Sequence, residues 1–182
     1  MKIVGKQLAN FIFVVSITFS ILSCSNKNEQ EHSSLVSNAT KTEVSIINAS
    51  QLKTEIDNRF GKPLFINVWA TWSEPSVKEL SDIQKLFNKY KDDVDFLNLS
   101  VDLSSKKDSV VIPLLEKEKI SFPVSIAEEK SGIEIMKMLS PKWNGGIPAS
   151  FIFDKYGKRE IFILGRQTFE NFSKGIDSVS VL

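Results

Sequence analysis

The chain has 182 residues, 42% of them hydrophobic and 25% charged, with a formal net charge of +1. That size and balance suit one globular domain plus additional segments, and no internal repeat or second domain is visible. The two signs of charge are scattered rather than gathered into a basic stripe, which excludes a nucleic-acid surface.

Lys2 and Lys6 form a positive start, and Phe11 to Leu22 form an apolar run too short for a comfortable membrane span. The run ends Ile21-Leu22-Ser23-Cys24, which resembles the lipobox of bacterial lipoproteins. This predicts a signal peptide over residues 1–23, cleavage before Cys24, and a lipid on that cysteine. An uncleaved anchor, or an ordinary secretory signal beside a chance cysteine, remains open as an alternative. Residues 24–43 then form a polar tether without periodicity. The only histidine, His32, lies in this stretch and is read as solvated linker.

The domain is expected over residues 44–182. A short strand, Val44 to Asn48, precedes a helix over about 50–60, with Leu52 and Ile56 on one face. Gly61-Lys62-Pro63 breaks that helix. Pro63 to Ala70 is apolar without alternation, the pattern of a buried strand. A helix opens at Ser73 and runs to about Lys91, with Ser73 as N-cap, Pro75 in the first turn, and Val77, Leu80, Ile83, Leu86 and Phe87 at helical spacing. Residues 94–102 read as a strand with Leu97, Leu99 and Val101 on a buried face, and its other face only partly buried. A helix around 108–119 follows, its regular part starting near Ile112 because of Pro113. Then come an extended segment at 122–126 and a short helix at 132–139. A hairpin joins 148–154 to 160–164 through a turn holding Gly157, and a last helix covers about 168–178. Strands alternating with helices, then a hairpin and a helix, predict an α/β fold with a central mixed β-sheet flanked by helices.

A strand running straight into a helix N-terminus is a place where reactive groups gather, because free N–H groups and the helix dipole favour negative charge there. At this junction the chain reads WATWSEPSVKEL, residues 69–80. The stretch resembles the WATWCxPCxxE motif of the TlpA/ResA-like family of membrane-tethered, thioredoxin-fold proteins. Trp69, Ala70, Thr71, Trp72, Pro75 and Glu79 match, and Ser73 and Ser76 stand where that family keeps its two redox cysteines. A second segment, Gly145 to Asp154, resembles the family's GxPttfliD stretch, in which the proline is cis and lies against the active-site turn. Pro148 is the corresponding residue; its local alternative is a trans proline starting a strand. Val101-Asp102 and Ile120 to Pro123 also resemble the family. The resemblance runs from about Gly61 to the C-terminus and implies a thioredoxin-like fold.

The family's activity needs a thiolate that attacks a sulfur through a mixed disulfide. A serine hydroxyl has no sulfur and is a weak nucleophile without a base. With no histidine in the folded part, Ser76 has only Glu79 or Lys78 within sequence reach as a base, and Glu79 has the alternative reading of a solvated helix carboxylate. The simpler role for Ser73 is a capping hydroxyl. Asn67 is read as a buried structural amide; Trp69 and Trp72 as part core and part groove rim; Trp143 as either. No cofactor and no metal is expected. Two functions follow. One is a non-catalytic module that holds an extended peptide or protein in a groove of Trp72, Ser73, Ser76, Ile147 and Pro148, outside the cytoplasm on a lipid anchor in the bacterial cell envelope. The other is a thiol-disulfide oxidoreductase of envelope redox homeostasis whose serines are a variant or whose thiols come from a partner.

Overall fold

The computed structural model describes residues 43–58 and 61–181. The signal peptide, Cys24, His32 and nearly all of the tether lie outside the described residues. Six strands, β1 (Val44–Ile47), β2 (Leu64–Trp69), β3 (Asp95–Ser100), β4 (Val124–Ala127), β5 (Ala149–Phe153) and β6 (Arg159–Leu164), form one sheet in the order β1-β4-β3-β2-β5-β6. The first four are parallel to one another, and β5 is antiparallel to both its neighbours, β2 and β6. The mixed sheet expected from the sequence is therefore present.

Among the described residues five α-helices cover it: α1 (Ala49–Asp57), α2 (Glu74–Tyr90), α3 (Ile112–Lys117), α4 (Gly132–Leu139) and α5 (Phe169–Ser180). Leu80 and Ile83 of α2, Leu115 of α3 and Ile176 of α5 share one apolar cluster with Phe65, Trp69 and Phe96 of the sheet. Leu52 of α1 and Ile135 of α4 share the other with Ile66, Val68, Leu97 and Leu99. The sheet is thus buried on both faces, which explains the continuous apolar run of β2. At its centre the fully buried Phe65 ring lies 5.4 Å from that of Phe96 and 5.2 Å, edge-on, from that of Phe172. Truncating such a side chain costs about 3–5 kcal/mol.

Local chemistry sets the boundaries. Asn48 ends β1 because its side chain accepts from the Gln51 N–H, while the Gln51 side chain accepts from the Asn48 N–H, a reciprocal cap on α1. That helix closes at Asp57 rather than near residue 60. α2 begins with Pro75 in its first turn and carries Glu74 where the dipole favours an anion. Thr168 caps α5. In the β5–β6 turn Gly157 has φ +83, and a Cβ there would fall 2.4 Å from the Ile56 carbonyl oxygen, so both conformation and space demand glycine.

Two expectations are corrected, for β3 and for the tryptophans. β3 stops at Ser100, so Val101 lies past its end and is exposed, while the strand's other face is buried as well. The regular part of α3 begins at Ile112, as expected from Pro113, after a 3-10 turn and a π turn over residues 104–111. Trp69 belongs wholly to the core, as does Trp143, whose Nε1 donates to the Gly146 carbonyl at 2.7 Å.

Candidate functional site

The carboxyl end of β2 turns through Ala70–Ser73 into α2. Its shape is fixed from the side by Asp102, which follows β3. Asp102 accepts from the Thr71 N–H at 2.9 Å and the Thr71 hydroxyl at 2.6 Å, and the Ser100 hydroxyl donates to the same carboxylate at 2.7 Å. The Ser73 N–H closes the turn on the Ala70 carbonyl at 3.2 Å. Held this way, Trp72 projects outward and is 70% exposed, whereas Ser73 and Ser76 are buried.

Ser73 has the extended backbone of an N-cap, but its side chain makes no capping bond. The expected capping role is overturned: the Ser76 hydroxyl donates to the Ser73 hydroxyl at 2.8 Å. The two serines sit three apart at the start of α2, Ser73 as its N-cap and Ser76 in its first turn. Side chains at that spacing share a helix face.

The Ile147–Pro148 peptide bond is cis, as the resemblance implied. Ala149 pairs with Val68, so Pro148 lies beside the end of β2 where the serine turn starts. Its carbonyl accepts from the Gly165 N–H at 2.8 Å. Pro148 is buried and Ile147 half-buried.

Beneath the turn lies a polar layer that sequence reasoning only partly reached. Glu79, one helical turn after Ser76, is 1% exposed, which overturns its reading as a solvated carboxylate. One carboxylate oxygen accepts from Asn67 Nδ2 at 2.9 Å, the other from the Gln167 N–H at 2.9 Å. Asn67 Nδ2 also donates to the Ser150 hydroxyl at 3.1 Å. Burial pushes the Glu79 carboxyl up to about 7; the Gln167 and Asn67 donors and the Arg166 charge oppose that rise, and Asp82 adds slightly to it. Asn67 is the buried amide expected. Ser150 and Gln167 were missed, because only the fold brings residues 67, 79, 150 and 167 together.

Chemically, no base is hydrogen-bonded to the serine pair among the described residues. No hydrogen bond joins Ser76 to Glu79 among the described residues, and both Glu79 oxygens are engaged elsewhere. The hydrolytic option therefore has no supporting geometry. Among the described residues there is no cluster of three or more histidine, cysteine, aspartate or glutamate residues that could hold a metal. No helix there is long and apolar enough to cross a membrane.

A strand-to-helix turn facing a cis proline across a mixed α/β/α sheet defines a thioredoxin-like protein. The AhpC/TSA family profile matches residues 36–159, and the chain belongs to that family. Relatives bear out the resemblance read from WATWSEPSVKEL. The chain is 33% identical over 119 residues to "Thiol-disulfide oxidoreductase ResA" of Bacillus thuringiensis, covering 65% of this chain and 64% of that one. It is 31% identical over 129 residues to the ResA of Bacillus cereus, covering 70% and 69%. The chain thus spans just under two thirds of the Bacillus thuringiensis relative's length. Two solved structures share the fold. One is a thioredoxin family thiol:disulfide interchange protein from Chlorobium tepidum, with TM-score 0.58 and 20% identity over 79% of this chain and 99% of that one. The other is StoA from Bacillus subtilis, with TM-score 0.52 and 24% identity over 64% and 84%.

Proposed function

We propose that this chain is a cell-envelope lipoprotein whose thioredoxin-like domain binds an extended peptide or protein without redox catalysis. The reading rests on one observation: at the turn where thiols would act, the Ser73 and Ser76 hydroxyls are hydrogen-bonded to each other. Thiol–disulfide exchange requires a sulfur at each step. The chain's single cysteine is Cys24, far from the turn in sequence and assigned here to the lipid. What remains at the surface of the turn is an exposed indole at Trp72, with the half-buried Ile147 and the buried cis-Pro148 near the end of β2 where the turn starts. An extended segment would lie across Trp72, Ser73, Ser76, Ile147 and Pro148 and pair through its main chain. The lipid on Cys24 and the tether up to residue 43 hold the domain outside the cytoplasm.

The second reading is the activity printed in the relatives' names, thiol-disulfide oxidoreductase. It is favoured by the intact surroundings of the turn, Trp72, Pro75, Glu79 and cis-Pro148, and it needs thiols supplied by a partner or by cysteine at 73 and 76.

In-cell photo-cross-linking separates binding from its absence. Glu74 is exposed at the first position of α2, directly after the turn, and Lys174 is exposed on α5. A probe at 74 is expected to give a discrete adduct that a probe at 174 does not. Equal diffuse labelling from both would sink the binding reading.

A further inference from the structure

We propose that a single water molecule is bound inside the domain, between β2 and β3 beneath α2, donating to the side-chain oxygens of Asn67 and Asn98 and accepting from the Trp69 indole N–H. Asn67 and Asn98 are directly opposite in the parallel β2–β3 register. They are 1% and 0% exposed, and the Oδ1 of each is buried without a hydrogen-bond partner.

The amide orientations are fixed by their other halves. Asn67 Nδ2 reaches toward Ser150, on β5, and Glu79. Its Oδ1, on the opposite prong of the amide, therefore faces away from β5, toward β3. Asn98 Nδ2 reaches toward the Pro123 carbonyl, immediately before β4, at 3.4 Å. Its Oδ1 therefore faces away from β4, toward β2. In the sheet order β4-β3-β2-β5 the two unpartnered oxygens point at each other across one pair of strands. Turning either amide over would set its oxygen against the Glu79 carboxylate or the Pro123 carbonyl, which is repulsive. The strand N–H groups between them are committed to the sheet ladder. Two buried acceptors facing each other need a donor between them, since each one left unmade costs about 1–3 kcal/mol.

Two further buried side-chain atoms lack partners among the described residues, Ser173 Oγ on α5 and, on β2 itself, the Trp69 indole nitrogen. Trp69 Nε1 is buried without an acceptor. Trp69 lies two residues beyond Asn67, on the same face of β2, and both Asn67 and Trp69 belong to the α2 side through their neighbours Phe65 and Leu80. The set is two acceptors and one donor. Water, with two hydrogens and two lone pairs, satisfies all three. A small cation would satisfy the carbonyl oxygens and repel the indole N–H; an anion would do the reverse. Because Asn67 serves this water with one prong and Glu79 with the other, the water fixes the amide that orients the acid under the serine turn. The inference stands on the core geometry and is independent of what the groove binds.

Diffraction from crystals of the full chain, at a resolution that shows ordered solvent, tests it. The expected result is a density peak at ordinary hydrogen-bond distance, about 2.7–3.0 Å, from both Oδ1 atoms. A direct Asn67–Asn98 amide bond with nothing between would overturn the proposal, as would a peak at the shorter distances of a coordinated cation, or no peak. A thermal double-mutant cycle gives a second readout. Asn98→Leu and Trp69→Phe each remove one partner of the same water, so their combined Tm loss is expected to be smaller than the sum of the single losses. Additive losses would count against a shared ligand.

Discussion

The serine turn and the polar layer under it occupy the same corner of the molecule and obey different rules. In the turn two neutral hydroxyls satisfy each other, and the neighbouring Trp72 spends most of its surface in solvent. In the layer below, a carboxylate accepts from two donors, Asn67 on β2 and the Gln167 N–H between β6 and α5, and Asn67 in turn donates to the Ser150 hydroxyl on β5. The turn can change its chemistry with little consequence for the fold. The layer cannot, because removing any member strands a buried polar group. The difference teaches where side-chain chemistry can change at least cost to the fold: at the two positions whose hydroxyls are hydrogen-bonded to each other.

The widest separation between the two regions comes from restoring sulfur. Ser73→Cys with Ser76→Cys places two thiols where oxygens now lie 2.8 Å apart, at a helix start that lowers thiol pKa. The double variant is expected to form an internal disulfide and to catalyse insulin reduction, while the parent stays at the uncatalysed background. Turnover would show that everything except the sulfur is retained. An oxidised but inert double variant would show that the surroundings have lost competence too, and parent turnover would overturn the non-catalytic reading.

In the lower layer the expected effects are on stability. Glu79→Leu leaves the Gln167 N–H and one Asn67 hydrogen unpaired in the core, a loss of roughly 2–4 kcal/mol by urea unfolding. Glu79→Gln keeps an oxygen for Gln167 and is expected to cost much less. The parent should also show a distinctive pH dependence. The folded-state pKa of Glu79, about 7, lies above its ordinary value of 4.5. The folded state therefore holds the proton over a range where the unfolded chain has released it. This group's contribution is fully present below about 4.5, falls as pH rises, and is lost above about 7, an order of 3 kcal/mol. Urea midpoints across that range should fall for the parent and flatten for Glu79→Gln. An equal slope in both would place the titration elsewhere.

How much of this was legible differs between the two regions for a physical reason. The strand and helix around the turn were readable because Leu64–Trp69 is an unbroken apolar run and Pro75 with the spacing of Leu80, Ile83 and Phe87 marks a helix. The cis peptide at Pro148 followed from the resemblance of residues 145–154. The role of Ser73 was misread because local propensity offers a capping hydroxyl, and the Ser76 hydroxyl competes for the same oxygen. The burial of Glu79 was not legible, since its partners lie 12 and 88 positions away along the chain. The faint signals were polar residues inside apolar strands, Asn67 in β2 and Ser150 in β5, whose meaning depends on a register that no local pattern specifies. Val101 continued the alternation of β3 on paper. The chain instead bends at Asp102 to hold Thr71, which ends the strand one residue earlier.

The smallest expected effect belongs to the turn itself. Replacing both members of a buried hydrogen-bonded pair by apolar groups is close to neutral, because no partner is left unsatisfied. Ser73→Ala with Ser76→Ala should therefore shift the unfolding free energy by no more than about 0.5–1 kcal/mol, well below Glu79→Leu. Trp72→Ala, at a side chain 70% exposed, should stay within about 0.5 kcal/mol of the parent. The same substitution removes the exposed indole of the turn and is expected to abolish the adduct from the probe at residue 74. Lost capture with unchanged urea midpoint would locate recognition in the turn. Capture that survives in the folded Trp72→Ala protein would move the binding surface away from the indole. A large stability loss would mean that Trp72 belongs with the buried layer, and the contrast between the two regions would fail at its clearest point.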